Sequence, residues 1–160
     1  MIVILYDSET EELHRLAVRI RNGIQGTCHL MQLSSITYPL LDRASTILFG
    51  CASGFTPGLS YRMLQFMDRS QERFLNQVWK NKFASGFTFD NGTNSIKTIE
   101  DICGFATKHS MIWIPQGHLA ENEGHNRPTG TTVNRNNSYL GCIGTMDLSL
   151  IHISEPTRPY

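Results

Sequence analysis

The sequence lacks an excess of charge and a long apolar run, and we expect no leader segment. Its 14 basic residues balance its 14 acidic ones, so its charge points neither to nucleic acid nor to an anionic membrane surface. No apolar run approaches the roughly 20 residues of a membrane-spanning helix, and no charged-then-apolar leader opens the chain. We therefore expect a cytoplasmic protein with no nucleic-acid partner and no membrane span.

Cysteine is scarce and scattered. The four cysteines form no CxxC pair, and we interpret them as small apolar residues of the interior, ahead of metal ligands or disulfide partners. They are Cys28, Cys51, Cys103 and Cys142. The sequence therefore predicts no metal site.

The last residues differ from the rest of the chain. Residues 148–158 read LSLIHISEPTR, which resembles the in-frame translation of a common transposase sequencing adapter. We therefore treat residues 148–160 as a non-native tail and residues 1–147 as one domain, whose natural C-terminal segment we expect to be missing.

Continuous apolar runs indicate parallel strands that helices cover on both faces. The runs are IVILY (2–6), TILFG (46–50), FASGFTF (83–89) and MIWI (111–114). Residues 28–33 alternate more regularly, which suits a strand at the edge of the sheet. Residues 115–132 are polar and rich in Gly, Asn and Pro, which predicts a long loop.

Apolar residues at helical spacing separate the strands. The three stripes are Leu13, Leu16, Ala17, Ile20 and Ile24; Leu59, Met63, Phe66 and Met67; and Ile96, Ile99, Ile102, Cys103 and Ala106. Alternating strands and helices predict right-handed crossovers and a three-layer, doubly wound α/β fold. Five parallel strands favour the flavodoxin-like order 2-1-3-4-5, in which ligands bind at the carboxyl ends of the strands.

A fifth helix should follow the last strand of such a fold. Only residues 134–146 remain to begin it. We therefore expect a truncated C-terminal helix and an apolar face of the sheet that is partly uncovered.

Several stretches resemble the flavodoxin-like NAD(P)H-dependent FMN reductases, the family that contains the multimeric NAD(P)H:quinone oxidoreductases. GLSYRMLQFMDRS and VWKNKFASGFT, within residues 58–88, resemble the family's helix ending in F-M-D, its Trp-Lys-x-Lys turn and its fourth strand. KHSMIWIPQG (108–117) is similar to the HHGM segment that begins the fifth strand. VNRNNSYLG (133–141) is similar to the segment NR-x-x-S-W/Y-L-G.

The resemblance implies an FMN-dependent oxidoreductase that passes hydride from NAD(P)H to a quinone-like small-molecule acceptor. FMN would be the cofactor, NAD(P)H the co-substrate, and a homo-oligomer would complete the site. The chemistry belongs to the flavin, so no catalytic side chain is predicted. Two alternatives remain open: a flavodoxin-type electron carrier, although such carriers are usually strongly acidic, and a module of this fold that has lost FMN and has a binding or structural role.

The resemblance implies that the turn after the first strand holds the FMN phosphate. Its residues are Ser8, Glu9, Thr10, Glu11, Glu12 and Leu13. Glu11 and Leu13 stand where the family has Gly and Thr. A carboxylate about 4 Å from the phosphate costs roughly 4 kcal/mol at a partly screened site, so the acidic side chains would have to point away. The alternative is a capping box, Ser8-x-x-Glu11, on a helix that needs no ligand.

Two further loops would hold the flavin ring. The second contains Ala52, Ser53, Gly54 and Phe55, with Ala52 and Gly54 in place of the family's Pro and Tyr; the alternative is a Gly-rich loop without a ligand. The third contains Thr88, Phe89, Asp90, Asn91 and Gly92. Its D-N-G sequence is also an ordinary turn, and we expect Asp90 to face water.

We assign no catalytic role to the histidines or the tryptophans. His118 and His125 lie in the predicted long loop, where a quinone or nicotinamide would approach, but we assign a catalytic role to neither. We interpret His109 as a positive charge that complements a helix C-terminus. Trp79 and Trp113 are interpreted as packing residues.

Overall fold

A parallel β-sheet forms the centre of the protein. The computed structural model describes residues 1–7, 10–53, 58–89, 95–117 and 138–144. The strands within these ranges are β1 (Ile2–Tyr6), β2 (Cys28–Gln32), β3 (Thr46–Ala52), β4 (Phe83–Phe89), β5 (Ile112–Trp113) and β6 (Cys142–Gly144). The order β2-β1-β3-β4-β5 confirms the predicted one, with β2 at the edge, and β6 also pairs with β4.

Helices connect the strands. They are α1 (Glu11–Gly23), α2 (Tyr38–Arg43), α3 (Tyr61–Arg69), α4 (Gln71–Leu75) and α5 (Ser95–Lys108), and a 3₁₀ helix spans Leu33–Ser35. The three predicted stripes fall largely on α1, α3 and α5, but Ile24 follows α1 and Leu59 precedes α3. The short helices α2 and α4 were not anticipated, because five or six residues are too few for a clear helical period.

Helices cover both faces of the sheet, which confirms the three-layer architecture. On one face, Phe49 of β3 packs against Phe66 of α3 and Phe105 of α5. On the other face, Ile4 of β1 clusters with Leu13 of α1. Side chains of a strand alternate between faces, so the apolar runs supply both clusters.

The tryptophans take the packing roles predicted for them. Trp79 is fully buried beside Phe66. Trp113 packs against the same core cluster, and its indole N–H donates a hydrogen bond to the carbonyl of Leu140 at 2.9 Å. Both side chains lie in or against the cluster that contains Phe49, which is the larger of the two clusters.

Two separate segments occupy the fifth position of the sheet. β5 is only two residues long and pairs with Phe83 and Ala84. β6 continues the same position and pairs with Phe87, Thr88 and Phe89. The expectation that residues 134–146 begin a helix is therefore wrong for residues 142–144. A short β5 leaves the backbone groups at the carboxyl end of β4 without a strand partner, and β6 supplies that partner.

Several predictions concern residues outside the described ranges. Residues 118–132 of the predicted loop and the adapter-like tail, 148–160, lie there. Among the described residues, every helix is too short or too polar to cross a lipid bilayer. All four cysteines are described and none forms a disulfide; Cys51 is buried and the other three are half-buried.

Part of one sheet face is exposed. Phe83 of β4 and Ile112 of β5 are partners in the register, so their side chains share a face, and both are more than two-fifths exposed, as is Ile114. Phe87, four residues further along β4, packs on that face with Ile4 and Leu13, in what we call the α1 cluster. The exposed apolar residues therefore lie on the sheet face that α1 covers in part, in agreement with the expectation of a partly uncovered face.

Candidate functional site

The three predicted cofactor loops leave the same edge of the sheet. The carboxyl ends of β1, β3 and β4 are neighbours, with Tyr6 opposite Gly50 and Ala52 opposite Phe89. Strands that are parallel and adjacent end side by side, so the loops that follow them converge. This edge is the candidate functional site.

The first loop leads into the N-terminus of α1. Thr10 has an extended backbone and is the N-cap, since its hydroxyl accepts a hydrogen bond from the amide of Leu13 at 3.4 Å. The capping box proposed from Ser8 and Glu11 is therefore wrong, because Glu11 is the first helical residue and not the third. The helix itself supplies no acceptor for the amide N–H groups of Glu11 and Glu12, and its positive dipole end lies there.

Of the acidic side chains at this helix end, Glu11 has a described partner. The carboxylate of Glu11 accepts a hydrogen bond from Arg15, one turn further on, at 2.5 Å, and both side chains are exposed. Glu12 is half-buried. The side chain of Leu13 is fully buried in the α1 cluster. It therefore leaves only the backbone of Leu13 for contact with a ligand at the start of α1. Ser8 and Glu9 lie outside the described residues.

Asp7 is the buried carboxylate of the site. It follows β1 directly, and none of its surface is exposed. Its Oδ2 accepts a hydrogen bond from the hydroxyl of Ser60 at 2.5 Å, and its Oδ1 lies 3.6 Å from a guanidinium nitrogen of Arg62. Among the described residues, no donor reaches Oδ1 within hydrogen-bond distance. The charge of Asp7 is thus directed toward α3 and not toward α1.

Hydrogen bonds connect the starts of the second and third loops. The hydroxyl of Ser53 donates to the carbonyl of Phe89 at 3.1 Å. The hydroxyl of Thr88 donates to the carbonyl of Cys51 at 2.6 Å. Both hydroxyls thereby brace the neighbouring strand ends. Ala52 is half-buried, and the predicted site residues Gly54, Phe55, Asp90, Asn91 and Gly92 lie outside the described residues.

Sequence reasoning missed Ser60 and Arg62. Ser60 is the N-cap of α3, and its hydroxyl accepts from the amide of Met63 at 3.2 Å. The signal was present, because a serine directly follows Leu59, the first residue of the second apolar stripe, and serine is a typical residue at a helix start. Its bond to Asp7, 53 positions away, required the tertiary structure.

His109 is not the positive charge that its place after α5 suggested. It is almost completely buried, against Phe105 and Trp79. Burial, assisted by the positive charge of Lys108, lowers the pKa of His109 to about 4. The imidazole is therefore neutral near pH 7, and the charge-complement interpretation is wrong. His118 and His125 lie outside the described residues.

A groove of about 570 Å³ lies between α3, α4 and α5. Phe74, Gly104, Phe105 and His109 are among the residues that line it. None of the lining residues belongs to the three predicted cofactor loops. The groove is therefore a feature separate from the strand-end site.

The solved structures to which this chain is similar include several flavodoxins. The chain is similar to a WrbA-like flavodoxin from Agrobacterium tumefaciens, with a TM-score of 0.65 and 24% identity over 71% of this chain and 75% of that one. It is also similar to a Fusobacterium nucleatum flavodoxin bound to flavin mononucleotide, with a TM-score of 0.66 and 11% identity over 90% and 84% of the two chains. A third similar structure is flavodoxin 2 from Bacillus cereus, with a TM-score of 0.64 and 12% identity over 91% and 84%.

The sequence alone matches neither a protein-family profile nor a curated protein. At these identities the structural likeness concerns the fold. The strand order, the two helical layers and the similar structures together show that the chain has the flavodoxin-like fold.

Proposed function

We propose that this protein is an FMN-dependent oxidoreductase that passes hydride from NAD(P)H to a quinone-like acceptor. One observation carries the proposal: the N-terminus of α1 lies at the carboxyl end of β1, beside the ends of β3 and β4 from which the other two loops leave. A helix N-terminus at a strand end suits a phosphate, and neighbouring loops suit a flat ring. The similar structures include a flavodoxin bound to flavin mononucleotide.

The residues present fit an FMN phosphate better than the sequence suggested. Thr10 supplies a hydroxyl, and Glu11 and Glu12 supply amide N–H groups that the helix does not use. Glu11 is drawn toward Arg15, and Asp7 toward Ser60 and Arg62. Two of the four carboxylates that would repel a phosphate are therefore held by other partners.

The second and third loops would hold the flavin ring. When bound, FMN supplies the hydride chemistry, and the protein binds, orients and shields it. The hydroxyls of Ser53 and Thr88 already donate to backbone carbonyls, so we propose that ring contacts come from the backbone of Ala52–Phe55 and Thr88–Gly92. We also propose that a second copy of the chain completes the site, as the family resemblance implies.

The test is cofactor retention followed by reduction. The full chain is incubated with FMN, desalted, and its visible absorbance is recorded. We expect the protein to retain flavin. NADPH or NADH should bleach the flavin absorbance under anaerobic conditions, and a soluble benzoquinone should restore that absorbance. Sedimentation of the loaded protein measures whether a dimer or larger oligomer forms.

Two other outcomes correspond to the alternatives. Retained flavin that dithionite reduces but neither nicotinamide reduces would favour an electron carrier, which the similarity to flavodoxins also supports. A protein that retains no flavin at micromolar concentration would favour a module without cofactor. The cap that Thr10 provides for its own helix is the observation in favour of that module.

A further inference from the structure

A buried polar cluster joins the first two cofactor loops. We call it the Asp7 cluster; its members are Asp7, Cys51, Ser60 and Arg62. Asp7 stands where the first loop begins, Cys51 stands where the second loop begins, and Ser60 stands where the second loop ends. Three elements, β1, β3 and α3, therefore meet in it.

Ser60 is the centre of the Asp7 cluster. Its hydroxyl donates to the carboxylate of Asp7 at 2.5 Å and accepts from the amide of Met63 at 3.2 Å. Its amide N–H donates to the sulfur of Cys51 at 3.3 Å, which closes the second loop across its two ends. The amide of Asp7 in turn donates to the carbonyl of Gly50 at 3.0 Å.

Three of the four members of the Asp7 cluster lie away from water, and the side chain of Arg62 is about half exposed. Asp7 is fully buried and Ser60 nearly so. Water therefore cannot simply replace the carboxylate if it is removed, and hydrogen bonds to a charged group in such surroundings are strong. The contacts fix the end of the second loop relative to the start of the first.

We propose that Asp7 is a positioning residue that holds the described ends of the first two loops, at Asp7, Cys51 and Ser60, in the relative position in which one ligand binds across both loops. This inference rests on the function proposed above. Fixed loop ends favour tight binding, because less conformational entropy is lost when the ligand binds. Asp7 acts through Ser60 and not by touching the ligand.

Electrostatics alone predicts the opposite effect. A carboxylate near an FMN phosphate repels it, so removing the charge of Asp7 would tighten binding if charge were its only influence. Positioning predicts that binding weakens. The sign of the change in FMN affinity therefore separates the two roles.

The experiment compares four test variants and one control variant of the full chain by titration with FMN. Asp7→Ala removes the charge and the acceptor for Ser60, and we expect its FMN dissociation constant to rise by about tenfold or more. Asp7→Asn keeps an oxygen acceptor and should lie close to the parent protein. Ser60→Ala should also weaken binding, whereas Ser60→Thr keeps the hydroxyl and should restore it. Asp68→Asn, an exposed carboxylate on α3, is the control and should not change the affinity.

Amide hydrogen exchange without FMN gives an independent reading. In Asp7→Ala the amides of Ser60 and Met63 should exchange about tenfold faster or more, and in Asp7→Asn they should change little. If the parent protein retains no FMN, this exchange still decides whether Asp7 orders the loop, so the two proposals fail separately. Unchanged exchange in Asp7→Ala, or tighter FMN binding by that variant, would overturn the inference. If Asp7→Ala does not fold, the pair Ser60→Ala and Ser60→Thr decides by the same two measurements.

Discussion

The two carboxylates that flank the first loop differ in what surrounds them. Asp7 is fully buried with a hydrogen-bonding serine and a nearby guanidinium, whereas Glu11 pairs with Arg15 in solvent. In water, an ion pair gains little because both partners are already solvated. In the interior, removing one partner leaves the others unsatisfied. The same side-chain chemistry therefore has different consequences at positions 7 and 11.

We expect Asp7→Ala to lower the free energy of unfolding by about 2–3 kcal/mol. Glu11→Ala should change it by no more than about 0.5 kcal/mol. Urea unfolding followed by far-UV circular dichroism measures both. Equal effects of the two substitutions would contradict the assignment of Asp7 as a buried and hydrogen-bonded group.

At the scale of elements, close backbone approach holds β6 against β4. A Cβ atom on Gly141 would lie 2.4 Å from the carbonyl oxygen of Gly86. A backbone carbonyl cannot move aside without shifting its strand. Only glycine therefore allows residues 142–144 to pair with the carboxyl end of β4.

Gly141→Ala should separate β6 from β4 and destabilise the protein by about 1–3 kcal/mol. Gly117→Ala is the matched control, because nothing lies within 4 Å of its added Cβ. Thermal unfolding gives the stability change, and faster exchange of the amides of β6 locates it. A Gly141→Ala protein as stable as the control would show that β6 does not depend on this approach.

At a glycine within α5, we expect substitution by alanine to stabilise the protein and not to destabilise it. Gly104 lies inside the helix, and an added Cβ would meet nothing within 4 Å. Glycine in a helix interior costs about 0.5–1 kcal/mol relative to alanine. Gly104→Ala should therefore raise the unfolding free energy by that amount in the same urea experiment, and a decrease would contradict it.

For the whole molecule, His109 makes stability depend on pH. Its pKa is about 4 in the folded chain and about 6.5 in the unfolded chain. Between these values the unfolded chain binds one proton more, so the unfolding free energy falls as the pH drops from 6.5 to 4. Above 6.5 the contribution is fully present, and the total loss is at most about 3–4 kcal/mol.

His109→Phe should flatten this dependence between pH 6.5 and 4, because a phenyl ring keeps the aromatic packing and does not titrate. His29→Gln, at an exposed position of β2, is the control and should keep the slope of the parent protein. Urea unfolding at several pH values measures both. The charged groups near His109 are Lys108 on α5 and, in the same groove, Asp68 and Asp101. If His109→Phe and the parent protein show the same dependence of stability on pH, the assignment of His109 as neutral and buried is contradicted.

How far the sequence predicts the molecule depends on how local each feature is. The runs at 2–6 and 83–89 are strands because continuous apolar residues suit a sheet covered on both faces, and this holds wherever the chain goes next. The capping box at Ser8 failed because two hydroxyl residues precede α1, and only the backbone conformation shows that Thr10 is the cap. The assignments of Ser8, Glu9 and the outer parts of the second and third loops remain predictions.

The sequence by itself determined the layers and the strand order, since hydrophobic period and alternation act over a few residues and short connections leave few topologies. Only the tertiary structure decided that β6 completes the fifth position, that His109 is uncharged, and that Asp7 bonds Ser60. Each of these depends on groups that are distant in sequence and meet in the folded chain, where they are partly or fully shielded from water. There the partner and the local polarity, and not the residue type, set the energy.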